Sequence, residues 1–131
     1  LNSMDPEVLS TFLAESEDRL MDIESGVLAL ESYGDEIDEE LVHSIFRDAH
    51  SIKAGANLLG LRNIERLAHG LENVLDSIRE HEIVPGKTIA SLLLETVDTM
   101  NDLFAEVQES EEQDISELHE QLCLAAGMAP E

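Results

Sequence analysis

Residues 38–60 read DEELVHSIFRDAHSIKAGANLLG. Asp38 is a helix-capping residue type with two acids directly behind it, and Leu41, Ile45, Ala49, Ile52, Ala56 and Leu59 then recur at steps of three or four. That spacing draws one apolar stripe along an α-helix. Gly60 supplies the residue that most easily takes the left-handed conformation closing a helix. The segment is predicted as a helix from the cap at Asp38 to the stop at Gly60, with one face for a core and the opposite face for water.

The same period extends in both directions. Upstream, Asp5-Pro6-Glu7 reads as a cap, a first helical residue and a dipole-favouring acid. Leu9, Leu13, Ser16, Leu20, Ile23, Val27 and Leu30 then mark a helix over 5–32, ended by Tyr33 and Gly34. Downstream, Ile64, Leu67, Ala68, Leu71, Val74, Leu75 and Ile78 predict a third helix over 63–82. Pro85-Gly86 turns the chain, and Thr88 is expected to cap a fourth helix on Ile89, Leu93, Val97, Met100, Phe104 and Val107. A shorter fifth, on Ile115, Leu118 and Leu122, is expected near Asp114. The prolines at 6, 85 and 130 leave the long segments unbroken, and no strand alternation is present. Connections of about 4 to 6 residues make consecutive helices antiparallel neighbours. The expected fold is all-α, an up-down antiparallel four-helix bundle with an additional short C-terminal helix. Residues 1–3 precede Met4 and read as an expression remnant, 4–126 as the bundle, and 127–131, ending Ala129-Pro130-Glu131, as a tail or the start of a linker.

The chain has 131 residues, 30 acidic against 7 basic, for a net charge of −23. Such a charge excludes general attraction to nucleic-acid phosphates or to an anionic membrane surface. With 43% hydrophobic residues in periodic order, the chain is expected to fold rather than behave as an acidic disordered tail. The acidic run 106–120 is interrupted by Val107, Ile115 and Leu118 and reads as a solvated face rather than a docking epitope. One cysteine, Cys123, makes neither an internal disulfide nor a multi-thiolate metal site. No secretory signal or membrane-length apolar run occurs, so the expected location is cytoplasmic.

His50 lies roughly 150° around the helix from the apolar stripe and is expected to face water. Alone it would be an ordinary surface histidine. Arg47, Lys53 and Ala54 lie one turn away, His43 and Asn57 two turns away. Lys53 could neutralise a phosphoryl group on the imidazole, and Ala54 keeps the approach free of bulk. Gly55 disfavours a helix interior by roughly 1 kcal/mol relative to Ala, which points to close approach of a neighbouring helix. Arg47, Lys53, Arg62 and Arg66 outnumber Asp48 and Glu65 in the window 47–66, a net +2 in a strongly negative chain. Such an island suits a dianionic group. On the third helix, His69 and Glu72 flank the stripe where an antiparallel neighbour brings them toward His50. A carboxylate accepting the Nδ1 proton would leave the Nε2 lone pair free to attack phosphorus. Spacing leaves open whether Glu72 does this, pairs with Arg79 or is solvated. Glu40-Leu-Val-His43 is a lone Glu-x-x-His pair, too little for a di-iron bundle, and no metal site is expected. An acidic helical adaptor without covalent chemistry is the alternative reading.

HSIKAGANLLG, residues 50–60, together with AHGLENVLDSIR, residues 68–79, resembles the signature of histidine-containing phosphotransfer domains, and most closely the N-terminal phosphotransfer domain of CheA-type chemotaxis kinases. The likeness is sharp over 46–79. It implies that His50 accepts a phosphoryl group on Nε2 from an ATP-bound histidine kinase catalytic domain and donates it to an aspartate of a CheY-like response regulator receiver domain. It further implies that Lys53 assists at the phosphate, Glu72 bonds the imidazole, His69 belongs to the surrounding network and Gly60 ends the helix. Arg47, Ala54 and Asn57 are the expected partner-facing residues. No phosphate-cradling glycine loop is present, so the chain is expected to be a phosphoryl carrier and no enzyme by itself, with ATP and Mg²⁺ held by its partners. Ala54 stands where the family usually has glycine, one methyl more on the face a partner must approach.

Overall fold

The computed structural model describes residues 5–34 and 36–128. The reading of residues 1–3 as a remnant, and of Ala129-Pro130-Glu131 as a tail, falls outside the described residues. Helix α1 spans Pro6–Tyr33, α2 Glu39–Leu59, α3 Arg62–Arg79 and α4 Lys87–Ala105. A 3₁₀ helix, Val107–Glu112, and α5, Ser116–Ala125, complete the chain, and the described residues contain no strand. No helix among the described residues is long and apolar enough to cross a membrane.

The first two helices start where local chemistry places them. Asp5 accepts from the Glu7 N–H at 2.8 Å, and Asp38 accepts from the Leu41 N–H at 3.1 Å. Gly60 ends α2 at φ 74°, and the Leu61 N–H donates back to the Ala56 carbonyl at 2.9 Å. Only Gly60 and Leu61 separate α2 from α3, a tighter turn than the sequence suggested. Leu61 is fully buried beneath it.

Cross-helix pairs fix the direction of packing. Phe46, His50 and Asn57, ascending α2, meet Arg79, Glu72 and Glu65, descending α3, so the two helices are antiparallel. Phe12, Arg19 and Gly26 of α1 likewise meet Gly55, Asp48 and Ile45 of α2 in reverse order. Phe12 also meets Phe104 of α4 edge-on, ring centroids 5.7 Å apart, which closes the four helices into a bundle. Its interior is filled by fully buried Leu20, Ile23, Ile52, Ile64, Leu71 and Leu93 among others.

Three local expectations are corrected. Helix α3 stops at Arg79, three residues before the predicted end, because the chain leaves the helix through a left-handed His81 at φ 61°. The Glu82 N–H then turns back to the Ser77 carbonyl at 2.9 Å. Helix α4 begins after Gly86 with no side-chain cap, so Thr88 lies inside its first turn. The acidic run is no simple solvated face either. Ser110 is buried, and Glu111 reaches the open end of α3, its Oε1 accepting from the Arg62 N–H at 2.9 Å and its Oε2 from the Asn63 N–H at 3.0 Å. Asn63 returns the contact, its Nδ2 donating to the carbonyls of Ser110 and Gln113 at 2.7 and 2.8 Å. Helix α5 lies across α3, with Leu122 seated on Gly70 so closely that a Cβ there would come 2.7 Å from Leu122 Cδ1.

Candidate functional site

Helix α2 turns His50 away from the core, and 59% of its side chain is exposed. Its Nδ1 lies 2.6 Å from Glu72 Oε2, across the groove between α2 and α3. The other oxygen of Glu72, Oε1, lies 2.6 Å from Lys53 Nζ. Only 5% of the Glu72 side chain is exposed. A buried carboxylate is costly unless its oxygens are met by donors or cations, and here each oxygen has one. His50 and Lys53, three residues apart on α2, thus converge on one acid of α3. Of the pairings the sequence left open for Glu72, this is the one formed. Arg79 pairs instead with Asp76 and Glu80 of its own segment.

The geometry has a defined chemical consequence. A carboxylate at Nδ1 accepts a hydrogen bond from Nδ1–H, so in the neutral ring it favours the tautomer whose lone pair is on Nε2. With Nδ1 facing the buried acid and most of the side chain exposed, Nε2 is the ring nitrogen left toward water.

The remaining predicted residues fall into three groups. Lys53 and His69 line a hollow of about 350 Å³ with Arg62, Glu65, Arg66 and His119. The positive island is therefore real on this side of the histidine. Among the described residues no hydrogen bond joins His69 to His50 or Glu72, so His69 stands beside the imidazole network rather than in it. Both Glu72 oxygens are already engaged by α2. Arg47, Ala54 and Asn57 are exposed on α2, and Asn57 donates to Glu65 Oε2 at 2.8 Å. Gly55 faces α1, where a Cβ would come 2.6 Å from Phe12 Cδ1. Glu40 and His43 are both exposed, on the opposite side from the inward glutamates a di-iron bundle needs.

Sequence reasoning missed two features. Phe46 stacks on the His50 ring, centroids 6.5 Å apart and planes within 9°, and the Arg79 guanidinium carbon lies 4.9 Å from the Phe46 ring centre. The i, i+4 spacing of Phe46 and His50 was the available signal. Beyond Gly55, an apolar groove of about 470 Å³ between α1 and α2 is lined by Val8, Phe12, Ser16 and Leu58, and Leu58 is 82% exposed. Its position off the apolar stripe was the cue.

A family model described as the Hpt domain matches residues 7–122. Among curated proteins, the chain is 37% identical over 97 residues to the chemotaxis protein CheA of Rhizobium meliloti, covering 74% of this chain and 12% of that protein. It is 36% identical over 124 residues to CheA of Salmonella typhimurium, covering 94% of this chain and 18% of that protein. The chain thus spans less than a fifth of the length of these relatives. Among solved structures, the phosphorylated P1 domain of CheA3 in complex with CheY6 from R. sphaeroides matches with a TM-score of 0.77 at 23% identity, over 92% of this chain and 96% of that one.

Proposed function

The chain belongs to the Hpt domain family, and on that premise we propose that His50 is its phosphoryl acceptor and donor. The observation that carries this reading is a solvent-facing imidazole with Nδ1 held 2.6 Å from a buried carboxylate. In the forward step the Nε2 lone pair attacks the γ-phosphorus of ATP in line with the departing ADP oxygen. The P–N bond forms as the bond to ADP breaks. With Nδ1 still protonated, the phosphorylated ring carries positive charge, which Glu72 faces directly. In the return step an aspartate carboxylate of a response regulator attacks the same phosphorus, the P–N bond breaks, and the electron pair returns to Nε2.

The donor in this reading is the catalytic domain of a histidine kinase, and the acceptor is a CheY-like receiver domain. ATP and Mg²⁺ are held by those partners, and this domain binds no cofactor of its own. Transfer between two such partners asks the carrier for position and charge compensation rather than for its own nucleotide site. Lys53 serves in two ways, offsetting the buried Glu72 and presenting an ammonium within one turn of the incoming phosphoryl group. Arg47, Ala54 and Asn57, with the exposed Leu58, form the surface on which a partner settles. His69 adds to the positive side of that surface. The proposed location is the cytoplasm.

The test is labelling with a CheA-type kinase domain, Mg²⁺ and γ-labelled ATP. The wild-type chain is expected to take an acid-labile, base-stable label at one site. His50→Gln is expected to take none, and Glu72→Gln to label about tenfold more slowly while remaining folded. Full labelling of His50→Gln would overturn the proposal. Partner binding with no transferable label on the wild-type chain would favour a non-covalent adaptor.

A further inference from the structure

The His50 ring hangs on two side-chain torsions, and a single hydrogen bond at Nδ1 is what restrains them from the Glu72 side. One hydrogen bond tolerates bending by roughly 30°, and with 59% of the side chain in water no surrounding core narrows that play. The Nε2 lone pair lies in the ring plane, so the direction of attack depends on the orientation of that plane. We propose that Phe46, braced by Arg79, is a positioning residue that sets the plane of the His50 imidazole while Glu72 sets its tautomer. The proposal rests on the phosphotransfer reading for its consequence in rate, but the ring orientation stands on the contacts alone.

Phe46 and His50 occupy successive turns of α2, and their rings lie offset and nearly parallel, 9° apart in plane and 6.5 Å between centroids. That arrangement falls within the favourable range for aromatic pairs. The plate is itself held. The Arg79 guanidinium carbon, 4.9 Å from the Phe46 ring centre, lies within reach of a cation–π contact. Arg79 is tied in turn to Asp76 and, through Nε, to Glu80 at 3.9 Å. Helix α3 therefore addresses the histidine at two places two turns apart, directly through Glu72 and through Phe46 from Arg79. In-line attack on phosphorus tolerates little angular error, and a ring free to swing spends only part of its time aligned.

Phe46 also packs against the edge of the core, and a packing role alone requires apolar volume, not a flat ring. Leucine and tyrosine separate the two roles, since Phe46→Leu keeps apolar bulk without a plate and Phe46→Tyr keeps the plate. The measurements are ¹³C relaxation of the His50 Cδ2–H bond by NMR and labelling kinetics with the kinase domain. Phe46→Leu is expected to lower the order of the ring and to reduce kcat about fivefold with KM for the kinase domain unchanged. Phe46→Tyr is expected to restore both. Wild-type ring order in Phe46→Leu overturns the proposal, whatever the labelling does. Reduced ring order together with a wild-type chain that takes no label upholds the ring's orientation and strikes the phosphotransfer reading instead. Should Phe46→Leu fail to fold, Arg79→Gln carries the same expectation at smaller amplitude, and unchanged order there overturns the proposal.

Discussion

Asp48 and Glu72 are both carboxylates largely removed from water, with 13% and 5% of their side chains exposed, and they differ in what meets them. Glu72 has a donor or cation on each oxygen. Asp48 has the Arg19 guanidinium at 3.5 Å, while Asp22 opposes it. Burial, reinforced by the Asp22 charge, holds the Asp48 carboxyl above its ordinary range against the pull of Arg19 and Arg47. A folded-state value above the unfolded one favours folding while the group is protonated, and that advantage is lost as pH rises through the folded value. Asp48→Asn is therefore expected to melt higher than wild type at pH 7. The difference should shrink toward zero as pH falls below the carboxylate range, which thermal unfolding at several pH values would check. Among the site residues, helical spacing indicated His50, Lys53 and Glu72, since they lie on facing flanks of two adjacent helices. It gave no means of ranking Arg79 and solvent against His50 as partners of Glu72. That choice depends on the axial register between α2 and α3, which no single helix encodes.

At the level of elements, α3 supports the site and has no cap of its own, for Leu61 offers its first turn no side-chain acceptor. Glu111 closes that turn from 48 and 49 residues downstream, and its negative charge also suits the positive end of the helix. Glu111→Ala is expected to lower stability by about 1–2 kcal/mol in urea unfolding, with Glu111→Gln losing less because one acceptor remains. The starts of α1 and α2 were legible because Asp5 and Asp38 bond their own first turns, and the stop at Gly60 because only a left-handed residue fits there. The end of α3 was not, since its left-handed exit falls on His81 rather than a glycine. The 3₁₀ helix was not legible for a related reason. Its acids look solvated when read locally, and the backbone groups that Glu111 satisfies belong to another part of the chain.

At the scale of the whole molecule, 30 acids against 7 bases repel one another across a small bundle, and the folded state holds them closer together than the unfolded chain does. Raising salt from about 0.1 M to about 1 M shortens the screening length from about 10 Å to about 3 Å. Sodium chloride is accordingly expected to raise the urea midpoint over that range, and a flat or falling midpoint would show that attractive pairs outweigh the repulsion. Arg62, Arg66 and Lys53 gather around one hollow beside the histidine, so much of the scarce positive charge is concentrated on that face.

The tie from Glu111 to the start of α3 also has a bearing on the order in which the protein matures. A ribosome delivers His50, Lys53 and Glu72 well before it delivers residue 111. A nascent chain that has just emerged through Arg79 holds every group of the imidazole network, yet the helix presenting its acid still has bare amides at its leading turn. The groups of the histidine site thus leave the ribosome before the acid that closes the first turn of the helix carrying Glu72.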